Sequence, residues 1–381
     1  MVWKIPLFRC YADENDVNAV AKVIRRGEYW AIGPEIEEFE KKIAKFIGTK
    51  YALTFNSGTS ALHTLLLAYN IRDKEVIVPS FTFISTANAV LLAGGKPVFA
   101  ETEEETFGLD ADDVKKRITS STKAIINIHY GGFPSRDTKK LKDIADSNNI
   151  ILIDDAAESF GASIDKRKIG TFAHSTMLSF CQSKIISTGE GGAIVTDSRE
   201  IYEKAKLIRS HGRVELDEDY FSSAKDNDYI VVGYNYRMPS MLAALGISQL
   251  RKADKLIYLR RRKADYLNKK LSKIKGVTAL KEPKGHYSVY QMFTIKLQDE
   301  KKRDALQRHL IKKGVMAKVY FNPAHLKTLY TKDYGYKKGD LPKTEALSTR
   351  VLTLPFYAHI NKKELDYIVN SIKEFFEEDL K

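Results

Sequence analysis

The sequence predicts an α/β fold: a large unit with a mostly parallel sheet covered by helices, followed by a smaller C-terminal α+β unit. Three observations carry this prediction. Apolar strand-like runs and helical patterns alternate for about 200 residues, as in sheets built from strand–helix–strand units. The runs are continuous, as in Glu75-Val76-Ile77-Val78 and Ile150-Ile151-Leu152-Ile153, so both faces of each strand are expected to be buried. After Asp197 the character changes to helical patterns with short strands between them. The division drawn is 1–250 for the large unit, which includes an N-terminal arm, and 251–381 for the small one, joined through a helix near 250–275.

The segment through Trp30-Ala31-Ile32-Gly33-Pro34 reads as an arm and loop. Pro34 suits a first helical position. Ile36, Phe39, Ile43, Phe46 and Ile47 then recur at helical spacing, and Gly48 is placed to cap. Tyr51-Ala52-Leu53-Thr54-Phe55 reads as a strand, and Asn56-Ser57-Gly58-Thr59-Ser60 runs from it straight into a helix. Strands follow at 75–78, 97–99, 123–128 and 150–155. Helices between them pass through Ala87 and Leu91, start near Asp110, and run over 137–148. Met177-Leu178-Ser179-Phe180 is a short buried strand that breaks into Cys181-Gln182-Ser183-Lys184. A glycine cluster, Gly189-Glu190-Gly191-Gly192, and a second strand at 193–196 come next. In the remainder, 240–250, 255–274 and 362–378 read as helices, and 290–295 and 317–320 as strands.

Apolar residues at 43% and charged residues at 29% are those of a globular protein in water. The apolar runs fall short of a membrane span. Met1-Val2-Trp3-Lys4-Ile5-Pro6 lacks the order of an export signal, which points to the cytoplasm. The two cysteines, Cys10 and Cys181, have no CxxC or Cys/His spacing, so both are expected to be buried free thiols without disulfide or metal. A net charge of +13 raises a nucleic-acid binder, but lysines are spread and paired with acids, as in Glu37-Glu38-Phe39-Glu40-Lys41-Lys42. No basic stripe with interleaved aromatics stands out, which argues against nucleic acid. The composition suits a heat-adapted protein, and a basic surface draws in anionic small molecules.

Three features of the large unit suit one cofactor. Ser57-Gly58-Thr59-Ser60 stands at a strand-to-helix turn, where free backbone N–H groups and a glycine form an anion site. Asp154-Asp155 ends a buried strand, where a carboxylate can keep a pyridinium nitrogen protonated. Lys184 follows another strand, with Ser183 before it as a second phosphate ligand. Taken singly, each has a plainer account: an ordinary N-cap, a helix-capping acid, a solvated loop lysine. Together they are what pyridoxal phosphate needs: a phosphate anchor, a partner for the ring nitrogen, and an amine for a Schiff base. No GxGxxG or Walker turn supports a nucleotide fold instead.

These features fall in a longer ordered set. It includes Gly33-Pro34 before Phe39-Glu40, Pro79-Ser80-Phe81-Thr82-Phe83, Asp155-Ala156-Ala157-Glu158 and Thr188-Gly189-Glu190-Gly191-Gly192. Gly233-Tyr234-Asn235-Tyr236-Arg237-Met238, Leu341-Pro342 and Leu354-Pro355 continue it. From about Tyr29 to the C-terminus the chain resembles the DegT/StrS family of sugar-nucleotide aminotransferases, of the type I aminotransferase fold. The resemblance implies that Lys184 bonds the cofactor and shuttles the proton, and that Asp155 pairs with the ring nitrogen. It implies that Gly58, Thr59, Ser60 and Ser183 hold the phosphate, that Phe83 stacks on the ring, and that Glu158 sits near the ring hydroxyl. Asn235 would reach the phosphate of a neighbouring subunit, making a homodimer with shared sites. Tyr320 and His325 stand where the family has substrate-facing residues, although surface polar groups are an equal account of both. Position 158 is often Gln or His in the family, so Glu158 brings an unusual charge. Dehydratase members replace the lysine with histidine, and here position 184 is Lys. The implied activity moves an amino group from L-glutamate to the keto sugar of a nucleoside-diphosphate sugar, for amino-sugar and glycan biosynthesis. The alternatives are a transaminase for a keto-cyclitol or other ring ketone, or a non-catalytic regulatory protein that binds the cofactor.

Overall fold

A helix, α1 (Glu14–Arg26), stands inside the segment that the sequence presents as arm and loop. Asp13 and Asp16 form a reciprocal capping box at its start, and Gly27 ends it at φ 79°. Its pattern is hidden because the inner face is partly polar. Buried Asp16 accepts hydrogen bonds from Gln249 at 2.8 Å and Lys252 at 2.6 Å. The computed structural model describes residues 3–214 and 227–378, which leaves Met1 and Val2 of the opening segment outside the described residues.

Helix α2 (Pro34–Ile47) starts at its proline. Strand β1 (Tyr51–Phe55) leads into α3 (Gly58–Ala68), followed by β2 (Glu75–Pro79), α4 (Ser85–Leu92) and β3 (Lys96–Ala100). The alternation continues with α5 (Ala111–Arg117), β4 (Thr122–Ile128), α6 (Thr138–Ser147) and β5 (Ile151–Asp155). A hairpin of β6 (Ser163–Ile164) and β7 (Arg167–Lys168) precedes β8 (Ser175–Ser179), β9 (Gly192–Thr196) and α7 (Arg199–Arg209). The apolar stripe of α7 is short and flanked by charge, so the sequence pattern does not announce it; Ser198 caps it.

The central sheet has the order β1-β9-β8-β5-β4-β2-β3. Strand β9 runs antiparallel to β1 and β8, and the other pairs are parallel. Strand alternation sends Ile126 and Ile153 into a core with α3 and α4, and Ile125 and Leu152 into one with α5 and α6. Both faces are covered, as the continuous apolar runs require.

The chain goes on through α8 (Ser240–Leu250), α9 (Ala253–Leu271), β10 (Thr278–Ala279), β11 (His286–Tyr287) and β12 (Phe293–Lys296). It ends with α10 (Glu300–Lys312), α11 (Thr328–Asp333), α12 (Pro342–Arg350), β13 (Val351–Leu354) and α13 (Lys362–Glu378). A second sheet has the order β10-β12-β13. The strand expected over 290–295 starts only at Phe293, because Tyr290 takes φ 49°. The strand expected over 317–320 is a single bridge, Lys318 to Thr353. The N-terminal arm docks on this second part: Ile5 N–H donates to Gly314 at 3.1 Å, and Phe356 N–H to the Leu7 carbonyl at 2.9 Å. Cys10 is exposed and Cys181 half-buried, against the expectation of two buried thiols. Among the described residues no helix is long and apolar enough to cross a membrane.

Candidate active site

The parallel strands β1, β2, β5 and β8 all end at one edge of the sheet, where α/β folds bind ligands. A cavity of about 440 Å³ opens there. Its lining comes from the turns after these strands, from Gln291, Met292, Tyr320 and Phe321, and from Leu7 and Phe8 of the arm.

Lys184 reaches the cavity from a tight lobe after β8. Phe180 N–H donates to the Gly191 carbonyl and Thr188 N–H to the Phe180 carbonyl, both at 2.9 Å. Lys184 N–H closes on the Cys181 carbonyl at 2.9 Å, and the Gln291 side chain donates to the Ser183 carbonyl. The lobe thus carries Lys184 on a short, internally bonded loop. Its Nζ stands 3.7 Å from Glu158 Oε1. Glu158 Oε2 accepts the Gly131 N–H at 2.8 Å. That donor is aimed by a turn in which Gly131 takes φ 62°, a conformation suited to glycine. Burial pushes the Glu158 carboxyl up, with Lys184 opposing.

Asp155, at the end of β5, faces the same cavity. Its Oδ2 accepts the Thr86 hydroxyl at 2.8 Å, and its Oδ1 accepts the Ala157 N–H at 3.1 Å. Two donors leave further lone pairs free on a carboxylate. Burial pushes this carboxyl up as well, which a cationic partner would reverse. Asp154 points to the opposite side of the strand, where its Oδ1 lies 3.3 Å from His129 Nε2. Asp155, the carboxylate that the resemblance implies, is the one of the two that lines the cavity.

Ser57 caps α3, its Oγ accepting the Ser60 N–H at 3.0 Å. Ser57, Gly58 and Thr59 line the cavity, and Ser183 joins them. First-turn N–H groups have no acceptor within their helix and suit an anion. Ser60 stands just behind, its hydroxyl 2.8 Å from Ser57 Oγ. A side chain at Gly192 would bring its Cβ to 2.5 Å from Gly58 N, so the glycine after the lobe lets β9 pass against the turn. An anion cradle, a buried carboxylate with spare acceptor capacity and an amine share one cavity, which fits pyridoxal phosphate.

The other expected residues divide. Phe83, 58% exposed, lines the cavity and stands 6.3 Å from the ring of Phe321. Tyr320 lines it too, its hydroxyl pKa raised by burial and then by Glu158. His325 does not face the cavity. It is fully buried, with Nδ1 2.6 Å from Ser80 Oγ and Nε2 3.2 Å from Glu345 Oε1, because its loop turns inward onto the end of β2. Asn235 is absent from the lining contributed by its own chain; its backbone bridges Ser210. Thr86, Gly131, Gln291, Leu7 and Phe8 enter the site without a sequence signal. Thr86 is held there by the Thr82 hydroxyl at 2.9 Å, a contact between the turn and α4.

The profile of the DegT/DnrJ/EryC1/StrS aminotransferase family matches residues 11–373. The chain is 32% identical over 375 residues to the GDP-perosamine synthase of Vibrio cholerae, covering 98% of this chain and 99% of that one. It is 30% identical to the UDP-4-amino-4,6-dideoxy-N-acetyl-beta-L-altrosamine transaminase of Campylobacter jejuni, covering 96% of each chain. The solved structure of Helicobacter pylori PseC, an aminotransferase involved in pseudoaminic acid biosynthesis, superposes with a TM-score of 0.91 at 29% identity, covering 98% of this chain and 99% of that one. The chain belongs to the DegT/DnrJ/EryC1/StrS aminotransferase family, and its cofactor is pyridoxal 5′-phosphate.

Proposed function

We propose that this protein transfers an amino group from L-glutamate to the ketone of a nucleoside-diphosphate keto sugar, in amino-sugar and glycan biosynthesis. The observation that carries the reading is Lys184 at 3.7 Å from Glu158 in the cavity that Asp155 and the Ser57–Thr59 turn also face. The relatives' names support the substrate class, since one carries a GDP-linked and another a UDP-linked sugar in its name or product. Bound pyridoxal phosphate supplies an electron sink for the carbon that loses its proton.

The chain supplies the rest. Gly58, Thr59, Ser60 and Ser183 would hold the phosphate, with Ser57 capping α3 beside them, and Asp155 would hold a proton on the ring nitrogen. Phe83 covers one ring face. Lys184 Nζ would hold the cofactor covalently, and its amine is placed to take and return the proton at the reacting carbon. Phe321, Met292, Leu7 and Phe8 exclude water from that step. A net charge of +13 favours arrival of an anionic diphosphate. The same reading takes 1–250 as the cofactor-binding unit, 251–381 as the unit that covers it, and the cytoplasm as the location. It includes a homodimer in which Asn235 serves the partner's phosphate site. Exposed Tyr29, Trp30, Ile32 and Val232 support a covered face.

Purified protein with pyridoxal phosphate is expected to be yellow, and borohydride to leave the cofactor bonded to Lys184. Lys184→Ala is expected to fold and to lose at least about 10³-fold in turnover. GDP-, UDP- and dTDP-linked keto sugars, beside inososes, are then offered with glutamate. Turnover of inososes alone, or residual full activity in Lys184→Ala, would sink the reading. Sedimentation as a monomer would sink the dimer.

A further inference from the structure

Ser80 follows β2 in the stretch whose Phe83 faces the cavity, and His325 follows Tyr320 and Phe321, which face it from the small unit. These two segments meet in a buried polar chain. Ala324 N–H donates to the Ser80 carbonyl at 2.8 Å, and His325 N–H to Ser80 Oγ at 3.1 Å. That same Oγ lies 2.6 Å from His325 Nδ1, and Nε2 lies 3.2 Å from Glu345 Oε1. The Glu345 carboxylate can only accept, so Nε2 carries the ring hydrogen; in a neutral ring Nδ1 is then the acceptor and takes the Ser80 hydroxyl hydrogen. Burial pushes the imidazole pKa down, in keeping with a neutral ring. Glu345, in α12, also accepts the Gly339 N–H at 2.8 Å.

Serine, histidine and acid in a row suggest a nucleophile, but Ser80 is wholly buried and outside the cavity lining. The imidazole instead joins a segment bearing one cavity wall to the segment bearing another, and both to α12. We infer that His325 is a positioning residue for the transamination, setting the placement of Phe321 against Phe83 and so the shape of the wall that the amino-acceptor sugar meets. These are two cavity-lining rings in contact, and the gap between them is their centroid separation of 6.3 Å. The inference rests on the aminotransferase reading above. A displacement of about 1 Å in a positioned wall is enough to change kinetics many-fold.

The test uses the cofactor-loaded enzyme. His325→Leu keeps much of the volume and removes both ring bonds. His325→Asn offers an oxygen near the Nδ1 position to accept from Ser80. Tyr330→Phe serves as a packing control, since its buried hydroxyl bonds Asn88 at 2.9 Å away from the chemistry. Crystal structures read the Phe83–Phe321 gap without any catalysis, and steady-state kinetics read KM and kcat for the keto sugar.

His325→Leu is expected to widen the gap by about 1 Å and to raise KM about 10-fold, with kcat changed less than about 3-fold. His325→Asn is expected to restore KM to within about 3-fold of wild type, and Tyr330→Phe to leave both unchanged. An unchanged gap in His325→Leu, or an equal rise in KM in Tyr330→Phe, would overturn the inference. If His325→Leu does not fold, Ser80→Ala takes its place under the same thresholds. A wild type inactive on every keto sugar overturns the functional reading instead, and the gap alone then decides the role of His325.

Discussion

Lys184 Nζ stands 3.7 Å from Glu158 Oε1, with the two side chains 16% and 10% exposed. Burial holds the Glu158 carboxyl above the usual carboxylate range, against the pull of Lys184 and the Gly131 N–H. The acidic limb of kcat/KM is therefore expected above the ordinary range for a glutamate. In Glu158→Gln that limb should disappear from the pH–rate profile. A limb that stays in place would belong to another group.

Asp155 contributes to the pH dependence of the cofactor-free protein. Its folded pKa is raised, chiefly by burial, above an unfolded value of about 4. Between the two values the folded state holds more protons than the unfolded one. Its contribution to stability is thus full below the unfolded value and is lost as pH rises through the folded one. Thermal melts of cofactor-free wild type, from about pH 4 to 8, are expected to fall relative to Asp155→Asn, and saturating cofactor should narrow the difference. Parallel curves would count against a raised Asp155.

Gly192 is expected to tolerate no side chain. An alanine Cβ there would stand 2.5 Å from Gly58 N and 2.6 Å from Ser57 C and O, all backbone that cannot swing aside. Gly192→Ala should cost about 1–3 kcal/mol in urea unfolding, as overpacking does. It should also weaken cofactor binding by about 10-fold or more, because the displaced atoms are those of the phosphate turn. Fluorescence titration with pyridoxal phosphate measures the second effect.

Arg209 Nη1 donates to Glu40 Oε1 at 2.6 Å and to the Thr54 carbonyl at 2.8 Å, and Glu40 also accepts the Thr54 N–H at 2.8 Å. The pair ties α2 and α7 to β1 beneath the phosphate turn. Arg209→Met strands a largely buried carboxylate and is expected to cost about 3–5 kcal/mol in denaturant unfolding. Replacing both, Glu40→Leu with Arg209→Met, should recover most of the loss. Equal costs for single and double variants would show that the arginine acts by packing alone.

The sequence by itself determined the strand–helix alternation, both covered faces of the sheet, and the points on the strand ends where chemistry sits. Continuous apolar runs and the turns after Phe55, Asp155 and Ser179 are local features, read without knowing which strands are neighbours. Composition and spacing alone left Asp154 and Asp155 together, and only the resemblance implied Asp155; the pleat puts Asp155 on the cavity side and Asp154 on the other. Helix α1 stayed hidden because its inner face buries Asp16 against Gln249 and Lys252, a polar contact with a partner far along the chain. The resemblance placed His325 among substrate-facing residues, with a surface polar group as an equal account; it is neither, because its loop folds back and buries the ring on Ser80. Leu7, Phe8 and Gln291 likewise reach the cavity through contacts between distant segments. Such contacts depend on how separate elements pack, and a sequence pattern records only the period within each element.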